Sequence, residues 1–154
     1  MYQWFVLAHL VGLVVFVFCH GASAFVAFQI RRMRDPVAIA NQLELSQQAT
    51  RLAYIGLILL LIGGAGAATV NDFWSKSWVW GSVVVLVIVL VAMYVVGARY
   101  YYGLRDRLAG KGGTTPIAGD ELAAYLDSRV PDILSGIGGL GLLVLVWLMV
   151  VKPG

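Results

Sequence analysis

Apolar positions along the chain gather in four long blocks, residues 4–30, 52–70, 78–98 and 133–151, separated by polar and basic connections. Each block is long enough to cross a bilayer as a helix, which takes about 20 residues. None contains an Asp, Glu, Lys or Arg, so every formal charge is pushed to a helix end or a connection. The pattern predicts an all-α fold: a four-transmembrane-helix bundle forming a single integral membrane domain over residues 1–154, with short helical extensions beyond the spans. The first block has no basic leader and exceeds the length of a signal-peptide core, so it is expected to remain in the mature protein.

The connections refine this picture. Asp35 can cap a helix with Pro36 at its first position, and residues 37–51 then read as a helical lead into the second span. In the third connection, residues 109–119 are rich in Gly and Thr and predict a flexible loop. A short amphipathic helix over 120–129 follows, with Leu122, Tyr125 and Leu126 resting on the membrane surface or on the lead into the second span.

Charge gives the bundle a direction. Arg31, Arg32, Arg34, Arg51, Arg99, Arg105, Arg107, Lys111 and Arg129 flank the first and third connections, against only Lys76 and Lys152 on the other side. The positive-inside rule places the basic connections in the cytoplasm and both termini outside it. Trp4, Trp74, Trp78 and Trp80 fall at the outer boundary and Trp147 in the outer half of the last span, as an aromatic belt would. The net charge of +3 therefore reflects membrane topology rather than nucleic-acid binding. Cys19 is the only cysteine, which excludes an internal disulfide and paired-cysteine zinc sites.

With no acidic or basic residue inside a span, an ion-coupled pathway lacks its usual groups. Asp72 and Arg99 read as solvated residues at helix ends. No carboxylate pair, nucleophile–base arrangement or phosphate-binding loop is present to support hydrolysis. The remaining candidates are His9 and His20, eleven residues apart. At 100° per residue they point within about 20° of each other, and at 1.5 Å rise they lie about 16 Å apart along the helix axis. One metal ion cannot bridge them, so they define two levels, with Gly12, Phe16, Ser23 and Ala27 continuing the same stripe. The helical ruler puts Gly63, Gly64 and Gly66 of the second span at the level of His9. It puts Gly136, Gly138, Gly139 and Gly141 of the fourth span, together with Met93 of the third, near that of His20.

Two readings fit each level. Imidazole and thioether are axial ligands of haem iron, and glycine leaves space for a flat macrocycle to approach the backbone. Alternatively a neutral histidine hydrogen-bonds a backbone carbonyl on a neighbouring helix, and glycines serve close helix packing. His9 has no second ligand at its level; a parallel homodimer through the first helix would supply one. Copper, with His, Met and Cys19 as donors, competes as the metal, although Cys19 points about 100° away from His20.

The segment Ala8-His9-Leu10-Val11-Gly12, the Arg34-Asp35-Pro36 turn and the closing Met149-Val150-Val151-Lys152-Pro153-Gly154 together resemble an uncharacterised family of bacterial four-helix membrane proteins. That family is similar to the copper-resistance D-type proteins and, more remotely, to the J-type protoporphyrinogen oxidases. In those relatives a first-helix histidine is followed seven residues later by an aromatic residue and then a glycine pair. His9 and Phe16 match the first two positions, and Phe18 and Cys19 replace the glycines. The resemblance implies a bacterial inner-membrane location and haem ligation at His9. It does not carry over porphyrinogen oxidation, because the third-span lysine of the oxidases has no counterpart here. His20 falls on no family position.

The expectation from the sequence is thus a b-type haem protein moving electrons within or across the bilayer, with His9 and His20 as metal ligands and Met93, Gly63, Gly64, Gly66, Gly136 and Gly139 lining the cofactor. A cofactor-free structural subunit of a larger respiratory or photosynthetic complex is the second reading, and copper handling the third. Membrane lipid, a second copy of the chain, such a complex and a quinone are the candidate partners.

Overall fold

The computed structural model describes residues 1–111 and 115–153. Its helices are α1 (Tyr2–Ile30), α2 (Pro36–Val70), α3 (Ser77–Leu108), α4 (Gly119–Leu126) and α5 (Val130–Val151), with a 3-10 turn at Phe73–Ser75 between α2 and α3. Four stretches, α1, α2, α3 and the α4–α5 segment, are long and apolar enough to cross a membrane. No strand occurs among the described residues.

Local chemistry sets most of the boundaries. Asp35 accepts the Val37 N–H at 3.0 Å and Pro36 opens α2, so one unbroken helix contains both the predicted lead and the second span. Asp72, with φ 53°, turns the chain out of α2. α3 runs ten residues past the apolar block, because Tyr100, Leu104 and Leu108 repeat at four-residue spacing and keep one apolar face. Arg99 consequently lies inside a helix, not at its end as the hydropathy pattern suggests. α4 stops at Leu126, three residues short of the expected end. In the expected loop over 109–119, Thr115–Ala118 are non-helical, and residues 112–114 lie outside the described residues.

Two antiparallel pairs make the bundle. α1 packs along α2 and α3 along α5, while contacts between the pairs are few. Both termini lie at the tryptophan-rich end. There Tyr2 meets Phe73 edge-on, and the Lys152 ammonium stands 5.5 Å from the Trp78 ring centre.

The opposite, basic end holds a cluster of buried apolar side chains. Val26, Ile30, Ile39, Leu43, Leu104, Ile117, Leu122 and Leu126 pack together there. Leu122 and Leu126 thus rest on the lead of α2 and the extension of α3. Burying a Leu or Ile of this kind contributes about 1.5–3 kcal/mol wherever water is the alternative. Polar contacts complete the end. Tyr100 and Tyr125 exchange hydroxyl-to-carbonyl bonds at 3.2 and 2.9 Å. Arg31 clamps both Asp132 carboxylate oxygens at 3.1 and 2.7 Å and donates to the Ser128 carbonyl, tying the end of α1 to the start of α5.

Candidate functional site

The glycines of α2 face α1 because residues three or four apart share a helix face. A Cβ on Gly63 would stand 2.8 Å from the His9 Cα, and one on Gly56 would stand 2.7 Å from the Phe16 nitrogen. One on Gly12 would stand 2.7 Å from the Gly56 carbonyl oxygen. Each distance is too short for a real methyl group, so α1 and α2 meet backbone to backbone. Gly64 is occupied by the His9 ring itself, with Nδ1 2.9 Å from where its Cβ would lie, and Gly66 receives the Phe5 ring. The space these glycines leave is therefore filled by α1: Gly63, Gly64 and Gly66, expected to line a cofactor, face His9 and Phe5 of that helix.

His9 occupies this contact with its own partner. Nδ1 lies 2.8 Å from the Leu60 carbonyl oxygen. A carbonyl only accepts, so Nδ1 is the donor of this bond. The bond fixes the ring to α2 and satisfies one nitrogen of a polar group in an apolar layer.

His20 has different neighbours. Its ring stacks on Phe16 at 5.5 Å between centroids and 7° between planes. On the other side a Cβ at Gly138 of α5 would lie 3.6 Å from His20 Nε2 and 3.5 Å from the Met93 Cε of α3. Three helices therefore converge on one point: His20 from α1, Met93 from α3 and the bare backbone of Gly138 from α5. His20 makes no hydrogen bond among the described residues. It sits at the seam between the two helix pairs, where contacts are sparse.

Gly136 and Gly139 do not belong to this point. Nothing lies within 4 Å of a Cβ placed on either, whereas Gly138 meets His20 and Met93 and Gly141 meets Val89. Successive residues turn by 100°, so only alternate members of the glycine run face the bundle. Of the glycines expected to line a cofactor here, Gly136 and Gly139 thus face away from His20 and Met93, and Gly138 faces them.

The shared phase of His9 and His20 on α1 does not give them a shared neighbourhood. His9 faces α2 and His20 faces α3 and α5. Among the described residues no group of three or more His, Cys, Asp or Glu side chains could hold a metal ion. Cys19 is buried and unpaired as a disulfide. Sequence reasoning missed one polar cluster: the Ser23 hydroxyl lies 2.6 Å from that of Ser46 and 3.4 Å from that of Thr50. Ser23 was legible as part of the histidine stripe, but its α2 partners were not, since Ser46 and Thr50 lie in the lead before the apolar block.

Fold and site together define a helical protein of four potential membrane spans with a histidine–methionine junction between two helix pairs. Comparison with protein-family models, with curated proteins and with solved structures finds no match.

Proposed function

We propose that the chain is a b-type haem-binding protein of a bacterial cytoplasmic membrane, with both termini outside the cytoplasm, that carries electrons within or across the bilayer. The observation that supports this most is His20: an imidazole without a hydrogen bond among the described residues, in an apolar seam, sharing one contact point with Met93. An unpartnered polar ring at such a depth is costly, and cofactor ligation is one of the roles that retain it.

The donor set fits the group. Imidazole nitrogen and thioether sulfur are an established axial pair for haem iron, and Met/His ligation raises its potential. His20 and Met93 would hold the iron, which would supply one-electron chemistry. Gly138 leaves the α5 backbone bare beside them, and Phe16 stacks against the imidazole and fixes its plane. A macrocycle would need the α1–α2 and α3–α5 pairs to part along the seam, since Gly138 already lies within van der Waals reach of His20 and Met93. Contacts between the pairs are few apart from the basic end, where the apolar cluster and the Arg31–Asp132 pair join them. His9 is fixed to α2 by the Leu60 carbonyl, and among the described residues no thioether stands beside it as Met93 stands beside His20.

A second reading draws on the same closeness. The seam already closes to van der Waals contact at Gly138, which favours a cofactor-free structural subunit of a larger membrane complex. Copper handling is the third.

The visible absorption spectrum of the purified full chain separates them. The expected result is a Soret band that His20→Ala abolishes, Met93→Leu shifts or weakens, and His9→Ala retains. A colourless preparation reconstituted without haem uptake overturns the proposal and leaves the structural reading. Copper at stoichiometric level in the same sample supports the third.

A further inference from the structure

Two surface grooves lie toward the basic end, and their charges differ. The larger, about 410 Å³, is lined by Arg31, Arg34, Ala123, Ala124 and Asp127. Both of its arginines are engaged, Arg31 by Asp132 and Arg34 by the backbone carbonyls of Arg31 and Met33, and Asp127 adds a carboxylate to the wall. An anion gains little there.

The second groove, about 320 Å³, is lined by Tyr94, Val95, Ala98, Arg99 and Tyr102, all on α3. Spacings of three and four residues, 94–98–102 and 95–99–102, keep these side chains on one broad face. Arg99 is exposed and has neither an ion pair nor a hydrogen bond among the described residues. No carboxylate lines the groove. Arg99 is also the first charge after the apolar block of α3, so it stands at the level where hydrocarbon gives way to headgroups. Towards the tryptophan end the same side of α3 presents Val84, Val87, Ile88 and Val91, all exposed.

We propose that this groove is a binding site for an anionic phospholipid, with the phosphate at Arg99 beside the Tyr102 hydroxyl and an acyl chain along Tyr94, Val95 and the Val84–Val91 stripe. The guanidinium matches a phosphate in charge and in its forked donors. Tyr102 offers a donor at headgroup depth, whereas Tyr94, about 7.5 Å deeper than Arg99, offers an apolar ring to the chain. The apolar stripe selects a lipid over a soluble anion, since a free phosphate gains nothing from it. This assignment is independent of any haem at the seam.

Native mass spectrometry of the full chain, extracted from nanodiscs of mixed phosphatidylglycerol and phosphatidylcholine, tests it. One basic residue near an anionic headgroup gives about a fivefold preference for the anionic lipid. Such a preference is expected for the native chain, retained in part by Arg99→Lys, lost in Arg99→Gln and unchanged in Arg34→Gln. Equal retention of the two lipids overturns the proposal, as does a preference that survives Arg99→Gln. Displacement of the lipid by millimolar inorganic phosphate also overturns it, by showing a soluble-anion site. Should Arg99→Gln fail to fold, Tyr102→Phe gives the second reading, with a reduced preference expected and an unchanged one counting against the site.

Discussion

The α1–α2 and α3–α5 pairs are both antiparallel, yet they are joined by different chemistry. In α1–α2 the glycines at 12, 56 and 63 bring backbone against backbone. In α3–α5 the glycines meet side chains instead: Gly81 faces the tips of Leu148 at 3.9 Å and Gly97 those of Leu134 at 3.5 Å. Lipid tails are as apolar as leucine, so helices in a bilayer gain from close packing rather than from leaving water. The first pair takes that gain through small residues and leaves its histidine no freedom. The second is spaced by side chains, and His20 lies where the two kinds of packing meet.

The sharpest way to break this contrast is to give glycines on each pair a methyl group. Gly12→Ala should destabilise by about 1–3 kcal/mol, because its Cβ would press on the α2 backbone, which cannot rotate away. Gly81→Ala should be neutral or mildly stabilising, since only leucine tips must adjust. Reversible unfolding in mixed micelles measures both, and equal losses would show that the pairs do not differ. A smaller effect separates the histidines. His9→Ala loses its bond to the Leu60 carbonyl and should cost about 1 kcal/mol. His20→Ala, measured on cofactor-free protein, should cost less than half of that; a larger loss at His20 reverses the assignment. The smallest expected change is a gain. Gly139→Ala adds a methyl group to an open face and should stabilise α5 by about 0.5 kcal/mol through helix propensity. A loss there would place a packing partner on that face.

Much of the architecture was legible before the fold. The four apolar blocks predict four long helices, and Asp35-Pro36 predicts the start of α2, because hydrophobic length and N-capping are local properties. The ends of α3 and α4 were less legible. Hydropathy marks where a span leaves the apolar layer and not where its helix stops, so Arg99 was read as terminal when α3 continues for nine residues. The four-residue spacing of Tyr100, Leu104 and Leu108 was the available signal. At the candidate site, helical rise put Met93 and the α5 glycines at the level of His20, and it paired His9 with the glycines of α2. Rise alone could not say which members of each glycine run face inward.

The sequence by itself determined the number and approximate length of the spans, the exclusion of formal charge from the apolar blocks and the phase and separation of the two histidines, all consequences of covalent order and helix geometry. Only the tertiary structure decided which helix stands opposite each histidine. That choice depends on how whole helices pair, and it turned two equivalent-looking imidazoles into one tied to the Leu60 carbonyl and one set beside Met93 and Gly138. The same pairing set Leu122 and Leu126 into a core at the basic end. It also left Arg99 unpartnered among the described residues on an outer face, because a side chain's partners are fixed by packing at long range and not by its neighbours in the chain.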